Sequence, residues 1–431
     1  MIDIQYVRDN PDRVKEYSAQ KGNKVDVDGL LEADELKRSL TREIEDKRQE
    51  RNQLISVSKG ERPSDEQIQK GRYVREEIEK LEAKLRENDE VFTELLNQIP
   101  NAPLGDVPVG ASEDENVVVK TVGEKPIFDF PVKTHWEIGQ AKDWIDKERA
   151  AKVAGSRFTY LKGDLVRLEF ALWQFALERL TDEAVIEKLI KDNNLSLSVK
   201  AFIPVLPPAM ANTAIYESTG RLNGADQTYK LAEDDLWLNA SAEHTLAPMY
   251  HGEILDEKDL PIRYVGYTTA FRREAGTYGK DMEGILRLHQ FNKLEMETFS
   301  TKDTSLDEHY LMIAAQEYLM AELGLPYQVV MKCTADIGKP NARGVDIDVW
   351  LPGQDKYRET HTADLITDFQ TRGMATRVRR TDGAVEFAHT NDATAFSERP
   401  LIGIIENFQT AEGNVRVPEV LRKYLGNKEE I

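Results

Sequence analysis

Apolar residues recur every three or four positions along the first hundred residues. In one segment they fall at Val74, Ile78, Leu81, Leu85, Phe92, Leu95 and Ile99, with Asn88 at the skipped seam position. An earlier segment repeats the spacing through Leu36, Leu40, Ile44, Lys47, Arg51 and Leu54, polar towards its end. Such an a/d repeat predicts two long helices that bury one stripe against each other. Ser58–Pro63 joins them, and Ser64 with Gln67 three residues later reads as a capping box opening the second helix. The expectation is an antiparallel coiled-coil hairpin over about 27–99, within an N-terminal helical unit of residues 1–105. The stretch from Pro100 to Ser112 holds Pro100, Pro103, Gly105, Pro108 and Gly110 and reads as a linker.

From residue 106 to 431 the period changes. Leu165, Leu168, Leu172 and Phe175 give a helix, and short alternating segments punctuated by Gly and Pro follow. This order predicts an α+β domain built on a largely antiparallel sheet. Residues 267–276 and 286–295 read as strand, Gly-rich loop, strand. Period 2 places Arg287, His289, Phe291, Lys293 and Glu295 on one face of the second strand, opposite Leu286, Leu288, Leu294 and Met296. Arg272 and Glu274 share a face of the first. Guanidinium groups, an aromatic ring and carboxylates gathered on one side suit a phosphate, a base and an amine.

Composition narrows the classes. The chain has 431 residues, 40% hydrophobic and 31% charged, enough for more than one domain with a real core. No run of about 18 apolar residues is present, so no membrane span is expected. The opening Met1–Tyr6 lacks the layout of a signal peptide, and the cytoplasm is the expected location. The single cysteine, Cys333, excludes an internal disulfide or a multi-cysteine metal site. Scattered His244, His361 and His389 lack ligand spacing, and no zinc is expected. A net charge of −20 argues against non-specific nucleic-acid binding. Against that trend, residues 37–51 carry Lys37, Arg38, Arg42, Lys47, Arg48 and Arg51 and four acidic residues. A hairpin of this kind is either a spacer or a lever that touches a distant partner.

Phe271–Gly276 with His289–Glu295 resembles motif 2 of the class II aminoacyl-tRNA synthetases in its seryl form. Ser397–Gln409 resembles motif 3, and Val205-Leu206-Pro207-Pro208 resembles the end of motif 1, which in this class lies at the dimer interface. The segments Ile4–Pro11 and Val417–Gly426 are similar to the two ends of the seryl-tRNA synthetase family, so the resemblance spans the whole chain. It implies a serine–tRNA ligase that uses ATP and Mg²⁺, binds L-serine and serine-accepting tRNA, and forms a homodimer. It further implies that Arg272 holds the α-phosphate, Glu274 the adenine amine, and Phe291 the adenine ring. Arg287 and Arg399 would hold the terminal phosphates, and Glu359 with Thr362 the Mg²⁺. Glu243 would take the serine ammonium and Glu295 its hydroxyl, with Ser241, Arg272, Thr394 and either Asn391 or Asp392 completing the pocket. The loop Thr277–Gly284 would face the tRNA end.

Three departures from the family pattern stand in the same region. Ser241 replaces the usual Thr. His361-Thr362-Ala363-Asp364-Leu365 replaces a Ser-Ser-Cys-Ser-Asn run. His389–Thr394 stands one residue short of the usual spacing before Arg399. Two other readings remain: a synthetase-like ligase that loads a non-tRNA acceptor, and an inactive coiled-coil binding protein.

Overall fold

The computed structural model describes residues 1–57, 64–221, 227–274 and 283–431. The joining segment Ser58–Pro63 and residues 277–282 of the expected tRNA-facing loop lie outside the described residues. The chain forms two compact units, Met1–Ala102 and Pro103–Ile431.

In the first unit, α1 (Ile4–Asp9), α2 (Pro11–Gln20), α3 (Val27–Val57) and α4 (Asp65–Gln98) follow one another. The two long helices pack as the expected hairpin, burying Leu40, Ile44, Val74, Ile78 and Phe92. Ser64 caps α4 as the spacing predicts: its hydroxyl accepts from the Gln67 amide at 3.2 Å while Gln67 accepts from the Ser64 amide at 2.9 Å. The polar interruption has a partner too, since the buried Asn88 amide donates to the Ala33 carbonyl at 2.8 Å. Two seam positions differ from expectation. Leu36 is 49% exposed, because Lys37 takes the neighbouring place. The Lys37 ammonium lies 4.7 Å from the Phe92 ring centre and 3.0 Å from Asp89, so its stem supplies the apolar contact. Leu96, rather than Leu95, is the buried residue in the last turn of α4. Arg8 on α1 grips Asp34 of α3 through two bonds of 2.7 Å.

The second unit is organised by one sheet of eight strands: β1 (Val117–Val122), β2 (Ile203–Val205), β3 (Ile262–Phe271), β4 (Gln290–Ser300), β5 (Tyr327–Met331), β6 (Arg343–Leu351), β7 (Lys356–Thr367) and β8 (His389–Ser397). Their spatial order is β1-β5-β6-β7-β8-β4-β3-β2. Every pairing is antiparallel except that of the short edge strand β2 with β3. Alternation divides the sheet chemically. On one face Val265, Leu294, Met296, Ile347, Val349, Ala363 and Ala393 join a single core. The helices α5 (Asp164–Leu180), α6 (Ser305–Leu323) and α7 (Arg399–Asn407) contribute Leu172, Phe175, Leu319, Ile402 and Ile405 to that core. The opposite face is charged and still largely buried, carrying Lys293, Glu295, Glu297, Asp346, Asp364, Asp392 and Thr394. Burying so many charges is costly unless they meet partners, which makes this face the natural place for a site.

The strand bounds modify the sequence reading. β3 ends at Phe271 and β4 starts at Gln290, so Arg272, Glu274, Arg287 and His289 lie in the connection and not within regular strand. Pairing nonetheless continues past the strand ends, the Arg272 amide donating to the His289 carbonyl at 2.9 Å. Glu274 then leaves extended geometry altogether, with φ of +48°.

Candidate active site

Over the charged face lies a cavity of about 100 Å³, lined by Arg272, Glu274, Arg287, Phe291, Lys293, Glu359, Thr362, Thr394 and Arg399 among others. It shares Arg287, Glu359 and Arg399 with a more polar hollow of about 450 Å³ bounded by Lys332, Asp346 and Asp348. Eleven of the twelve site residues expected from sequence therefore meet at one place or border it: the eight lining residues just named other than Lys293, together with Glu295, Ser241 and Glu243, which lie 2.6, 3.0 and 3.9 Å from the Lys293 ammonium.

Two features of local geometry bring them there. Glu359 and Thr362 are three residues apart on β7, and a regular strand would point them to opposite faces. The ladder pairs Ile347 with His361 and Asp348 with Glu359, which leaves Thr360 as an extra residue. That bulge turns both side chains to the cavity. A second shift between Thr394 and Phe396 on β8 does the same for Thr394 and Ser397. Arg399 opens α7, where a cation opposes the helix dipole. Its guanidinium is held instead by Glu359, 3.0 Å to the carboxylate and 2.9 Å to the backbone oxygen. Burial acts to raise the Glu359 carboxyl, but Arg399 and Lys332 outweigh it and hold the group below its ordinary range.

On the opposite wall the Arg272 guanidinium lies 5.2 Å from the Phe291 ring centre, and its Nε donates to the Ala240 carbonyl at 3.1 Å. Arg287 pairs with Glu274 at 3.1 Å. Beneath Phe291, Asn292 is locked by two buried acids: its amide N–H donates to Glu398 at 2.9 Å and its side chain to Glu169 at 2.8 Å. Burial, with Glu169 nearby, pushes the Glu398 carboxyl up to about 8.

Deeper in, the cavity gives way to a compact charged pocket. Ser241 donates a short hydrogen bond to Glu243 and receives one from Lys293 at 3.0 Å. Burial would raise the Glu243 carboxyl, but Lys293, Arg221 and His244 keep it well below its ordinary value. For Glu295 burial prevails over Lys293 and, with the repulsion of Glu243, lifts it to about 7. The two carboxylates thus differ sharply although both contact Ser241.

The structure decides the choice left open at Asn391 and Asp392. Asn391 turns away from the pocket, its amide donating to the Ser305 carbonyl at the start of α6 at 2.8 Å. Strand alternation then aims Asp392 inward, where Arg221 meets it at 2.5 Å. Of the two residues left open, Asp392 is the one that faces the charged pocket and Asn391 the one that does not. Sequence reasoning missed Arg221, which pairs with Asp392 and lies 3.6 Å from Glu243. It comes from a separate helix–loop segment, and no periodicity marks it. Lys293 and Glu398 were visible, the first on the charged face and the second beside Arg399, but neither was assigned a task.

The family model described as the class II tRNA synthetase core domain (G, H, P, S and T) matches residues 228–408, and that of the seryl-tRNA synthetase N-terminal domain matches residues 1–103. The serine–tRNA ligase of Thermodesulfovibrio yellowstonii is 39% identical, over 99% of either chain. That of Desulforapulum autotrophicum is 37% identical over 100% of this chain and 99% of its own. Among solved structures, the seryl-tRNA synthetase of Pyrococcus horikoshii complexed with ATP superposes with a TM-score of 0.90 at 36% identity, covering 100% of this chain and 99% of that one. With its helical hairpin, its antiparallel sheet and these full-length relatives, the chain belongs to the seryl-tRNA synthetase family of class II aminoacyl-tRNA synthetases.

Proposed function

We propose that this chain activates L-serine with ATP and transfers it to the 3′ end of tRNA, using the residues gathered on the charged face of its sheet. The observation that carries the site assignment is the junction at Lys293. This residue lines the cavity of Arg272, Phe291 and Arg399, and it also binds Ser241 and Glu295 in the adjoining pocket. A nucleotide in the first and an amino acid in the second would meet there.

The roles follow from the chemistry. Phe291 stacks the adenine and Glu274 accepts from its amine. Arg272 takes the α-phosphate, and Arg287 and Arg399 take the terminal phosphates. Glu243, held ionised, binds the serine ammonium, and Glu295 accepts from the hydroxyl. The serine carboxylate needs no base: it attacks the α-phosphorus, pyrophosphate leaves, and seryl-adenylate remains. Rate therefore comes from positioning and from guanidinium groups aimed where charge develops. Glu359 and Thr362 offer the oxygen donors Mg²⁺ prefers, and their shared orientation over the cavity fits that ion. When bound, the ion neutralises charge on the phosphates. In the second step the terminal ribose hydroxyl takes the acyl group.

The α3–α4 hairpin serves as the tRNA-holding arm, within an N-terminal unit of residues 1–105. At the sheet edge, Ile203 of β2 is 53% exposed and Leu206, just beyond its end, 82%. A second copy of the chain would cover this apolar edge, giving the homodimer that the resemblance to motif 1 implies. Among the described residues no helix is long and apolar enough to cross a membrane, and we place the enzyme in the cytoplasm.

Amino-acid-dependent ATP–pyrophosphate exchange followed by tRNA charging tests the whole. Exchange with serine and transfer to tRNA are expected. Exchange without transfer would favour a ligase that loads another acceptor, and no exchange would overturn the enzyme reading.

A further inference from the structure

The amino-acid pocket holds more acid than serine needs. Glu243, Glu295, Glu297 and Asp392 are all at least nine-tenths buried there, and the cations among them are Lys293 and Arg221. Lys293 pairs with Glu295 at 2.6 Å and Arg221 with Asp392 at 2.5 Å, and the same two cations lie 3.9 and 3.6 Å from Glu243, so two cations serve four acids. The ammonium of serine answers Glu243. Glu297, 1% exposed and opposite Asp392 in the ladder, keeps both carboxylate oxygens without a hydrogen-bond partner, and one oxygen of Glu295 is in the same state. Burial, with Asp392 and Glu243 nearby, lifts the Glu297 carboxyl well above its ordinary range, so this acid stays neutral until a cation arrives beside it.

The geometry specifies that partner. Oxygens of Glu243, Glu295 and Asp392 all lie within 4.8 Å of one another. An atom at the centre of such a triangle would stand roughly 2.8 Å from each, the length of a charge-assisted N–H···O bond. An ammonium has three N–H donors for three acceptors, whereas a hydroxyl has one and would turn its lone pairs on the other carboxylates. A divalent metal ion would be set against Lys293 and Arg221, which already occupy two of these carboxylates. Asp392 also lies in His389–Thr394, where the chain leaves the family's usual spacing.

We propose that this pocket also accepts a small amino acid bearing a second ammonium group, of the class of L-2,3-diaminopropionate, which is serine with an amine in place of the hydroxyl. The inference rests on the assignment of the pocket as the amino-acid site. The α-ammonium and side-chain ammonium would divide between Glu243 and the pair Glu295–Asp392, with Glu297 balancing the added charge. Chemistry is unchanged: the carboxylate oxygen bonds to the α-phosphorus of ATP, the bond from that phosphorus to the bridging oxygen breaks, and pyrophosphate leaves with its electron pair.

The test is ATP–pyrophosphate exchange by the full chain with L-serine, L-2,3-diaminopropionate, L-alanine and L-2,4-diaminobutyrate in parallel. Diaminopropionate is expected to support exchange with kcat/KM within about tenfold of serine and at least about a hundredfold above alanine, differences of the size that a paired buried polar group produces. Diaminobutyrate, one methylene longer, should fall below it. Exchange with serine while diaminopropionate does no better than alanine would overturn this inference alone and assign the triangle to the α-ammonium. No exchange with any of them would overturn the site assignment beneath it. In Glu297→Gln the ratio of diaminopropionate to serine activity should drop about tenfold, and an unchanged ratio would show that Glu297 is a silent, protonated acid.

Discussion

At the scale of single residues, the pocket works through contrast between neighbouring carboxylates. Glu243 is kept ionised by Lys293 and Arg221, while burial lifts Glu295 to about 7. Replacing Glu295 with Ala should reduce the preference for serine over alanine by about a hundredfold or more in ATP–pyrophosphate exchange, because an acceptor aimed at a hydroxyl rejects the analogue that lacks it. Unchanged discrimination would remove Glu295 from that role. The raised carboxyl also fixes a pH dependence. Below about pH 7 it is protonated and offers the serine hydroxyl a weaker, uncharged acceptor, so kcat/KM for serine should fall as pH drops below 7, by up to about tenfold per unit. Glu295→Gln should abolish that limb. That Arg272, Phe291 and Glu295 come together was legible because they sit in segments whose residue types already suggest a phosphate, a base and an amine; the proposed hydroxyl role of Glu295 comes from the family resemblance. Arg221 was not legible, since its importance arises only where a distant loop meets β8.

At the scale of elements, the hairpin was readable from its heptads, but its exact seam was not. The shift from Leu36 to Lys37 follows from a lysine whose stem packs while its ammonium reaches Asp89 and Phe92, a behaviour that an apolar-or-polar alphabet cannot express. Asn88 is more predictable. Removing its side chain in Asn88→Ala would leave the Ala33 carbonyl without its bond across the seam, at a cost of about 1–2 kcal/mol. Hydrogen exchange in the full chain should then quicken about tenfold for amides around Leu85 and Phe92 and leave the sheet unaffected. Equal acceleration in β4 would contradict this. In the sheet, period 2 identified the charged face of β4 correctly from Phe291 onward. It could not foresee that the regular strand begins only at Gln290, nor that β7 and β8 carry extra residues, because bulges have no signature in the alternation they interrupt.

At the scale of the whole molecule, a chain of net charge −20 folds into two units, and the proposed function gives tRNA holding to one and adenylate formation to the other. Composition alone points away from RNA, and only motifs spread from one end of the chain to the other reverse it. Trimming the arm tests that division. Arg48 of α3 and Glu82 of α4 meet at 2.9 Å, so residues 49–81 can be replaced by a short linker with the inner hairpin retained. Adenylate formation should persist within about twofold while tRNA charging falls at least about a hundredfold; parallel loss of both would make the arm a purely structural element. The sheet imposes a different kind of limit on the catalytic unit. Because Thr360 is the extra residue that lets Glu359 and Thr362, three positions apart, share one face, the site depends on how β7 is paired as much as on which residues it holds. Over descent, β7 can exchange side chains on its charged face and so alter what is bound, and it could even lose Thr360, which would leave Glu359 and Thr362 two positions apart on the same face; drawing Thr360 into the ladder instead would turn one of the pair towards the apolar core.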